Sequence, residues 1–204
     1  DGGQGMTLKA VYFDLGGVIV RTEFQSPREH LAERVGLTYE ELVAIVFESK
    51  SSREASIGKV SEGDHWKYVV RALHRPLKER EAVHKEFFDG DIIDRELIAF
   101  IRSLRPRCKT GLISNAWDGL RPYLEREKFA DAFDALTISA EVGVMKPDPA
   151  IFQHALDQLG VKPKEVVFVD DFPENIAGCE AIGMRGIRFQ STEQTLKELK
   201  KLLK

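Results

Sequence analysis

Cysteine is scarce in this sequence: Cys108 and Cys179 stand alone, with no CxxC pair and no histidine-rich companion. Two thiols cannot build the disulfide framework of a small secreted scaffold, so reduced side chains and a cytoplasmic setting are expected. Spacing alone leaves a single disulfide between them open. The 5 histidines form no His-x-x-x-His or similar pair, which argues against zinc. No apolar run approaches the roughly 18 residues of a membrane span. A surplus of one charge is missing as well: 30 basic against 33 acidic side chains leave −3. Neither nucleic acid nor an anionic membrane is therefore expected as the main partner. Internal repeats and low-complexity segments are absent too. The opening Asp1-Gly2-Gly3-Gln4-Gly5 has no basic and apolar signal pattern and precedes Met6. It reads as an expression scar, and residues 1–5 are set aside from the fold.

What is there suffices for one good core and a small second lobe: 204 residues, 43% of them hydrophobic. Five short runs rich in Val, Ile or Phe have the length of buried strands. They are Lys9–Asp14, Lys109–Ser114, Ala135–Ser139, Val166–Asp170 and Gly186–Gln190. Helical period lies between them, as at Ile98, Ile101 and Leu104, or at Ile151, Ala155 and Leu159. The tail from Leu196 to Leu203 reads as a last amphipathic helix with a solvated lysine face. Strand and helix alternating from about residue 92 predict an α/β fold with a parallel sheet.

The segment from Arg21 to Gly90 breaks that alternation and shows no convincing strand. It offers helix starts instead: Ser26-Pro27, a capping box at Thr38-Tyr39-Glu40-Glu41, and Ser61-Glu62-Gly63-Asp64. About four helices inserted after the first strand are expected, with residues 6–20 and 91–204 forming the sheet domain.

In an open parallel sheet, ligands bind beyond the carboxyl ends of the strands. The first run ends in Asp14, the second in Ser114-Asn115, and the fourth in Asp170-Asp171. The third leads through Ser139 and Glu141 to Lys146-Pro147. Lys146, preceding proline, is biased to an extended backbone that can project its ammonium inward. Asp148-Pro149 reads as N-cap and first turn of the next helix, with no part in chemistry. Two adjacent acids at one strand end repel each other unless a cation offsets them.

This order of motifs, carried by FDLGGVIV, LISN, GVMKPDPAIF and VFVDDFPENI, resembles the haloacid dehalogenase (HAD) superfamily over essentially the whole chain. The nearest resemblance is to its branch of sugar-phosphate phosphatases and epoxide hydrolase N-terminal phosphatase domains. It implies a Rossmann-like core, an α-helical cap over residues 21–90, Mg2+ and an aspartyl-phosphate intermediate. By the family pattern Asp14 is the nucleophile, Ser114 bonds a phosphoryl oxygen, and Lys146 neutralises phosphate charge. Asn115 either faces the phosphate with its backbone or serves as a helix N-cap. Asp14, Asp171 and the Gly16 carbonyl hold the metal, while Asp170 ligates through water or holds Lys146. Asn175 orients the metal shell or is a first-turn polar residue.

One position departs from the pattern. Most phosphatases of the superfamily carry a second Asp, the general acid and base, two residues after the nucleophile; here it is Gly16. The branch it most resembles also has glycine there. Gly16-Gly17 are then expected to serve the sharp turn out of the strand. Two other readings stay open. One is a metal-independent 2-haloacid dehalogenase, which the Asp170-Asp171 pair argues against. The other is a catalytically weak phosphate- or partner-binding relative. The expected substrate is a small phosphorylated metabolite, with Arg21–Gln25 and Ser56–Asp64 closing over the site. A monomer or a homodimer is expected.

Overall fold

Ala10, Val11, Tyr12 and Phe13 are all completely buried, as a central parallel strand covered on both faces requires. They form β1 (Ala10–Phe13) in a computed structural model that describes residues 8–203. The proposed scar at residues 1–5 lies outside the described residues. After β1 come β2 (Val20–Thr22) and five helices: α1 (Ser26–Val35), α2 (Tyr39–Phe47), α3 (Lys50–Ser56), α4 (Glu62–Ala72) and α5 (Arg80–Phe88). β3 (Asp91–Ile93) and α6 (Arg95–Leu104) return the chain to β4 (Lys109–Ser114) and α7 (Leu120–Arg126). Then follow β5 (Ala135–Ile138), α8 (Ser139–Val142), α9 (Pro149–Leu159), β6 (Val166–Asp170), α10 (Pro173–Ala181), β7 (Arg185–Arg188) and α11 (Thr192–Leu202).

Five strands make one parallel sheet in the order β5-β4-β1-β6-β7. The period-2 alternation of β1 divides the core. Val11 and Phe13 pack with Leu97, Ile98 and Ile101 of α6 and Leu199 of α11 on one face. Ala10 and Tyr12 pack with Ile151, Phe152 and Ala155 of α9 and Cys179 of α10 on the other. The Tyr12 hydroxyl donates to the carbonyl of Ala155, so its buried oxygen is satisfied. Gly111 in β4 makes room for that ring: a Cβ there would lie 2.2 Å from a Tyr12 carbon. Cys108 and Cys179 are buried and unpaired. Among the described residues no helix is long and apolar enough to cross a membrane.

β4 and β6 match the expected runs, whereas Ser139 opens α8 rather than ending β5. β7 runs Arg185–Arg188, one residue earlier than expected at its start, and the last helix begins already at Thr192, behind an N-cap at Ser191. The reading of residues 21–90 as strandless needs correction. β2 pairs antiparallel with β3, Arg21 opposite Ile92 and Thr22 opposite Asp91, so the expected boundary at residue 20 falls inside a strand. Three half-buried residues carry too little alternation to stand out.

Between these two strands five helices stand where about four were expected. The capping box of α2 is present in both directions: Glu41 N–H donates to Thr38 Oγ1 at 3.1 Å, and Thr38 N–H to Glu41 Oε2 at 2.8 Å. Ser61 caps α4 by accepting from Asp64 N–H at 3.0 Å. Leu31, Leu42, Val46, Trp66, Val70 and Phe87 form an apolar cluster of their own.

Candidate active site

Asp14 extends β1 beyond its last ladder residue, its N–H donating to Val169 O at 2.8 Å. The chain then coils tightly: the Leu15 carbonyl accepts from the N–H groups of Val18, Ile19 and Val20 at 3.2, 2.8 and 2.9 Å. Gly17 sits in this turn at φ +76°, and a Cβ on it would lie 2.2 Å from Asp171 Oδ2. The turn therefore needs glycine at position 17. Position 16 has no such demand: Gly16 is exposed, and nothing lies within 4 Å of where its Cβ would be. The joint reading of the two glycines is corrected accordingly.

Lys146 is 4% exposed and reaches under the sheet edge. Its Nζ donates to Asp14 Oδ1 at 2.8 Å, Asp170 Oδ2 at 2.7 Å and Ile113 O at 2.9 Å. Asn115 grips the lysine's backbone from both sides. Its Nδ2 donates to Lys146 O at 3.0 Å, and its Oδ1 accepts from Lys146 N–H at 2.8 Å. Asn115 is thus no helix N-cap, since α7 begins only at Leu120. Asp148 caps α9, accepting from Ala150 N–H at 2.8 Å. Ser114 ends β4, buried at the same edge.

Asp170 is completely buried and heavily engaged. Besides Lys146 it accepts from Phe172 N–H at 2.8 Å, and from Asn175 Nδ2 at 3.1 Å on each oxygen. Asp170 therefore anchors Lys146, and Asn175 anchors Asp170. Asp171 differs: its Oδ1 is buried without a hydrogen-bond partner. Burial pushes the Asp14 carboxyl up to about 7; the Lys146 charge works against this and the Asp170 charge adds to it. Burial, then the Asp170 charge, also raises Asp171.

Asp14, Asp170 and Asp171 each offer an oxygen within 4.8 Å of the others. Three carboxylates face one ammonium, and an unpartnered buried oxygen costs about 1–3 kcal/mol or more. A divalent cation with oxygen preference answers both. The donor set fits Mg2+, with Asp14 and Asp171 the carboxylates best placed to hold it. Gly16 lies on the turn directly after Asp14, bridged to Val20.

Arg21, the first residue of a segment expected to close over the site, is engaged at the base of the insert: its Nη1 donates to Val18 O at 2.7 Å and to Asp94 Oδ2 at 2.9 Å. Two contacts of the site's neighbourhood had no signal in the sequence. Ser139 Oγ accepts from Ala116 N–H at 2.9 Å, and Trp117 packs into the helical cluster. Their partners lie too far along the chain for any spacing rule to connect.

The chain belongs to the haloacid dehalogenase-like hydrolase family, whose model matches residues 8–183. Among curated proteins it is 27% identical over 216 residues to bifunctional epoxide hydrolase 2 of Rattus norvegicus, covering 97% of this chain and 39% of that one. The chain thus spans about two fifths of the length of that relative. It is 26% identical over 202 residues to the sesquiterpene phosphatase astK of Aspergillus oryzae, covering 97% of each. Among solved structures, a HAD family enzyme from Bacteroides thetaiotaomicron superposes with a TM-score of 0.82 at 18% identity, over 95% of this chain and 98% of that one. Its complex with magnesium and inorganic phosphate gives 0.77 at 18% identity, over 91% and 96%.

Proposed function

We propose that this hydrolase is a Mg2+-dependent phosphomonoesterase that transfers phosphoryl from a small phosphorylated metabolite to Asp14 and then to water. The observation that carries the reading is Lys146 tying Asp14 to Asp170 beside the unpartnered buried oxygen of Asp171. A metal-free dehalogenase has no use for that second acid. The Aspergillus oryzae phosphatase, similar over nearly the full length of both chains, supports the same reading. So does the shared fold, which accommodates magnesium and inorganic phosphate in the Bacteroides thetaiotaomicron enzyme.

Asp14 Oδ1 is occupied by Lys146 Nζ and by Leu15 N–H at 2.7 Å. That leaves Oδ2 to attack phosphorus, and the ester oxygen departs with the bonding pair. Lys146, its charge held at the edge of the sheet, favours the ionised form of Asp14 against its burial and offsets charge on the phosphoryl oxygens. Ser114 at the end of β4 donates to one of those oxygens. Water then attacks phosphorus, which frees inorganic phosphate and restores the carboxylate. Bound Mg2+ supplies further charge neutralisation at the phosphoryl group. No carboxylic acid stands at position 16, so esters whose oxygen departs easily are favoured, an anomeric sugar phosphate among them. The five helices act as a mobile cap that excludes water.

The test is turnover of an aryl phosphate. Activity should vanish in excess chelator and return with Mg2+, and Asp14→Asn and Asp171→Asn should each abolish it with the fold intact by circular dichroism. Full activity in chelator would overturn the reading in favour of a metal-free reaction.

A further inference from the structure

The short loop after β4 has two sides. On one, Asn115 holds the backbone of Lys146 through its pair of hydrogen bonds. On the other, the side chains of the next residues reach out of the sheet domain to the helical one. The Trp117 ring stacks on Phe47 of α2 at 5.9 Å between centroids and lies 4.6 Å from His65 of α4. Asp118 Oδ1 accepts from Glu62 N–H at 2.8 Å, satisfying the first N–H of α4. Gly119 lies so close to Glu62 that a Cβ on it would come within 1.6 Å of Oε2.

Between the two sides the loop is fastened at Ala116. Its N–H donates to Ser139 Oγ at 2.9 Å, and its carbonyl accepts from that hydroxyl at 3.2 Å and from Ala140 N–H at 3.3 Å. The helical domain touches this fastening a second time, because Gly58 packs on Ala140 O, where a Cβ would lie 2.2 Å away. A continuous series of contacts therefore runs from α2 and α4 through Trp117, Asp118 and Ala116 to Asn115 and the lysine. None of these contacts belongs to the ladders that pair the strands of the sheet.

We propose that Trp117 and Asp118 are positioning residues: they form a latch through which the seated helical domain holds the Asn115–Lys146 clamp in register. When the helices lift, the latch releases, the clamp loosens, and Lys146 loses its fixed place between Asp14 and Asp170. Only a seated cap then gives a fully aligned site. The latch concerns how the site is held and rests on the phosphatase reading only for its turnover arm.

Amide exchange followed by NMR tests it without any substrate, because the Lys146 N–H is the hydrogen bonded to Asn115. Trp117→Ala and Asp118→Ala should each speed exchange of the Lys146 amide about fivefold, the order expected from losing one cap or aromatic contact. Trp117→Phe, which keeps the stack, should stay near wild type. Turnover of an aryl phosphate should fall through kcat more than through a rise in KM. Faster exchange in α4 with an unchanged Lys146 amide would overturn the proposal, since the contact would then serve the helices alone. Asp118 is exposed, so its variant keeps the test decisive if Trp117→Ala fails to fold. A wild type that turns over no phosphate ester would sink the phosphatase reading, while the exchange result would still judge the latch.

Discussion

A side chain at position 17 meets two obstacles together, the left-handed φ of +76° and an Asp171 oxygen 2.2 Å from its Cβ. Gly17→Ala should therefore cost about 1–3 kcal/mol in urea unfolding. It should also weaken Mg2+ binding in calorimetry by displacing Asp171. Unchanged values in both would mean the turn can shift freely. Position 16 offers the opposite case, with open space and an ordinary backbone. Gly16→Asp should keep the melting temperature and supply the missing acid. General acid catalysis is worth ~10²–10⁴-fold, most for poor leaving groups. A series of esters with graded leaving-group acidity should thus be steep in wild type and flatter in the variant. A flat wild-type series would show that another residue supplies the proton. The acids and the lysine were legible in the sequence because each interrupts or follows an apolar run. The split between Gly16 and Gly17 was not, because it depends on a carboxylate more than 150 residues away in the chain.

At the scale of elements, legibility followed burial. β4 and β6, buried nearly end to end, and the Thr38 capping box could be read from local pattern. β2 and β3 could not, since their polar residues are stabilised by each other: Thr22 Oγ1 donates to Asp91 Oδ1 at 2.8 Å, and so does Arg28 Nη2 at 2.8 Å. α4 carries a different device. His65 is completely buried, its Nε2–H donating to Val46 O at 2.9 Å and its Nδ1 facing Ser51 Oγ at 3.1 Å. Burial lowers its pKa below the usual 6.5, against smaller opposing effects of the Val46 carbonyl and Glu62. A histidine depressed in the folded state contributes stability above its unfolded pKa and loses it as pH falls below that value. Melting temperature should therefore drop between pH 7.5 and pH 5.5 by more in wild type than in His65→Gln, a neutral stand-in. Equal drops would mean the ring takes up its proton in place.

Across the whole molecule, the helical insert is tied to the sheet domain by two kinds of contact, a strand pair at its base and side-chain contacts on its far side. β2 and β3 are the chain's two crossings between them, and they are pinned at the base. Asp94 accepts from Arg21 Nη1 and from the Thr192 hydroxyl, and its N–H donates to Ile19 O at 2.8 Å. Asp94 is nearly buried, and its carboxyl is held below the usual range by its hydrogen-bond donors and Arg21, despite the opposing effect of burial. The distal contacts are at Trp117, Asp118 and Gly58. On the proposed latch, the ribbon of β2 and β3 would be the hinge about which the helices close over a substrate. Lys59, exposed beside Gly58 at the latch end, gives trypsin a site that reports on it. Cleavage there should slow severalfold when Mg2+ and a phosphoryl-mimicking fluoride complex are added together, and slow little with either alone. Asp118→Ala should restore rapid cleavage in their presence, because the seated state has lost a contact that holds it. Asp94→Asn should instead raise cleavage with and without the ligand, since it loosens the base rather than the latch. If wild type is cut equally fast under all conditions, the helices do not close on the site, and substrate selection rests with the rim of the sheet itself.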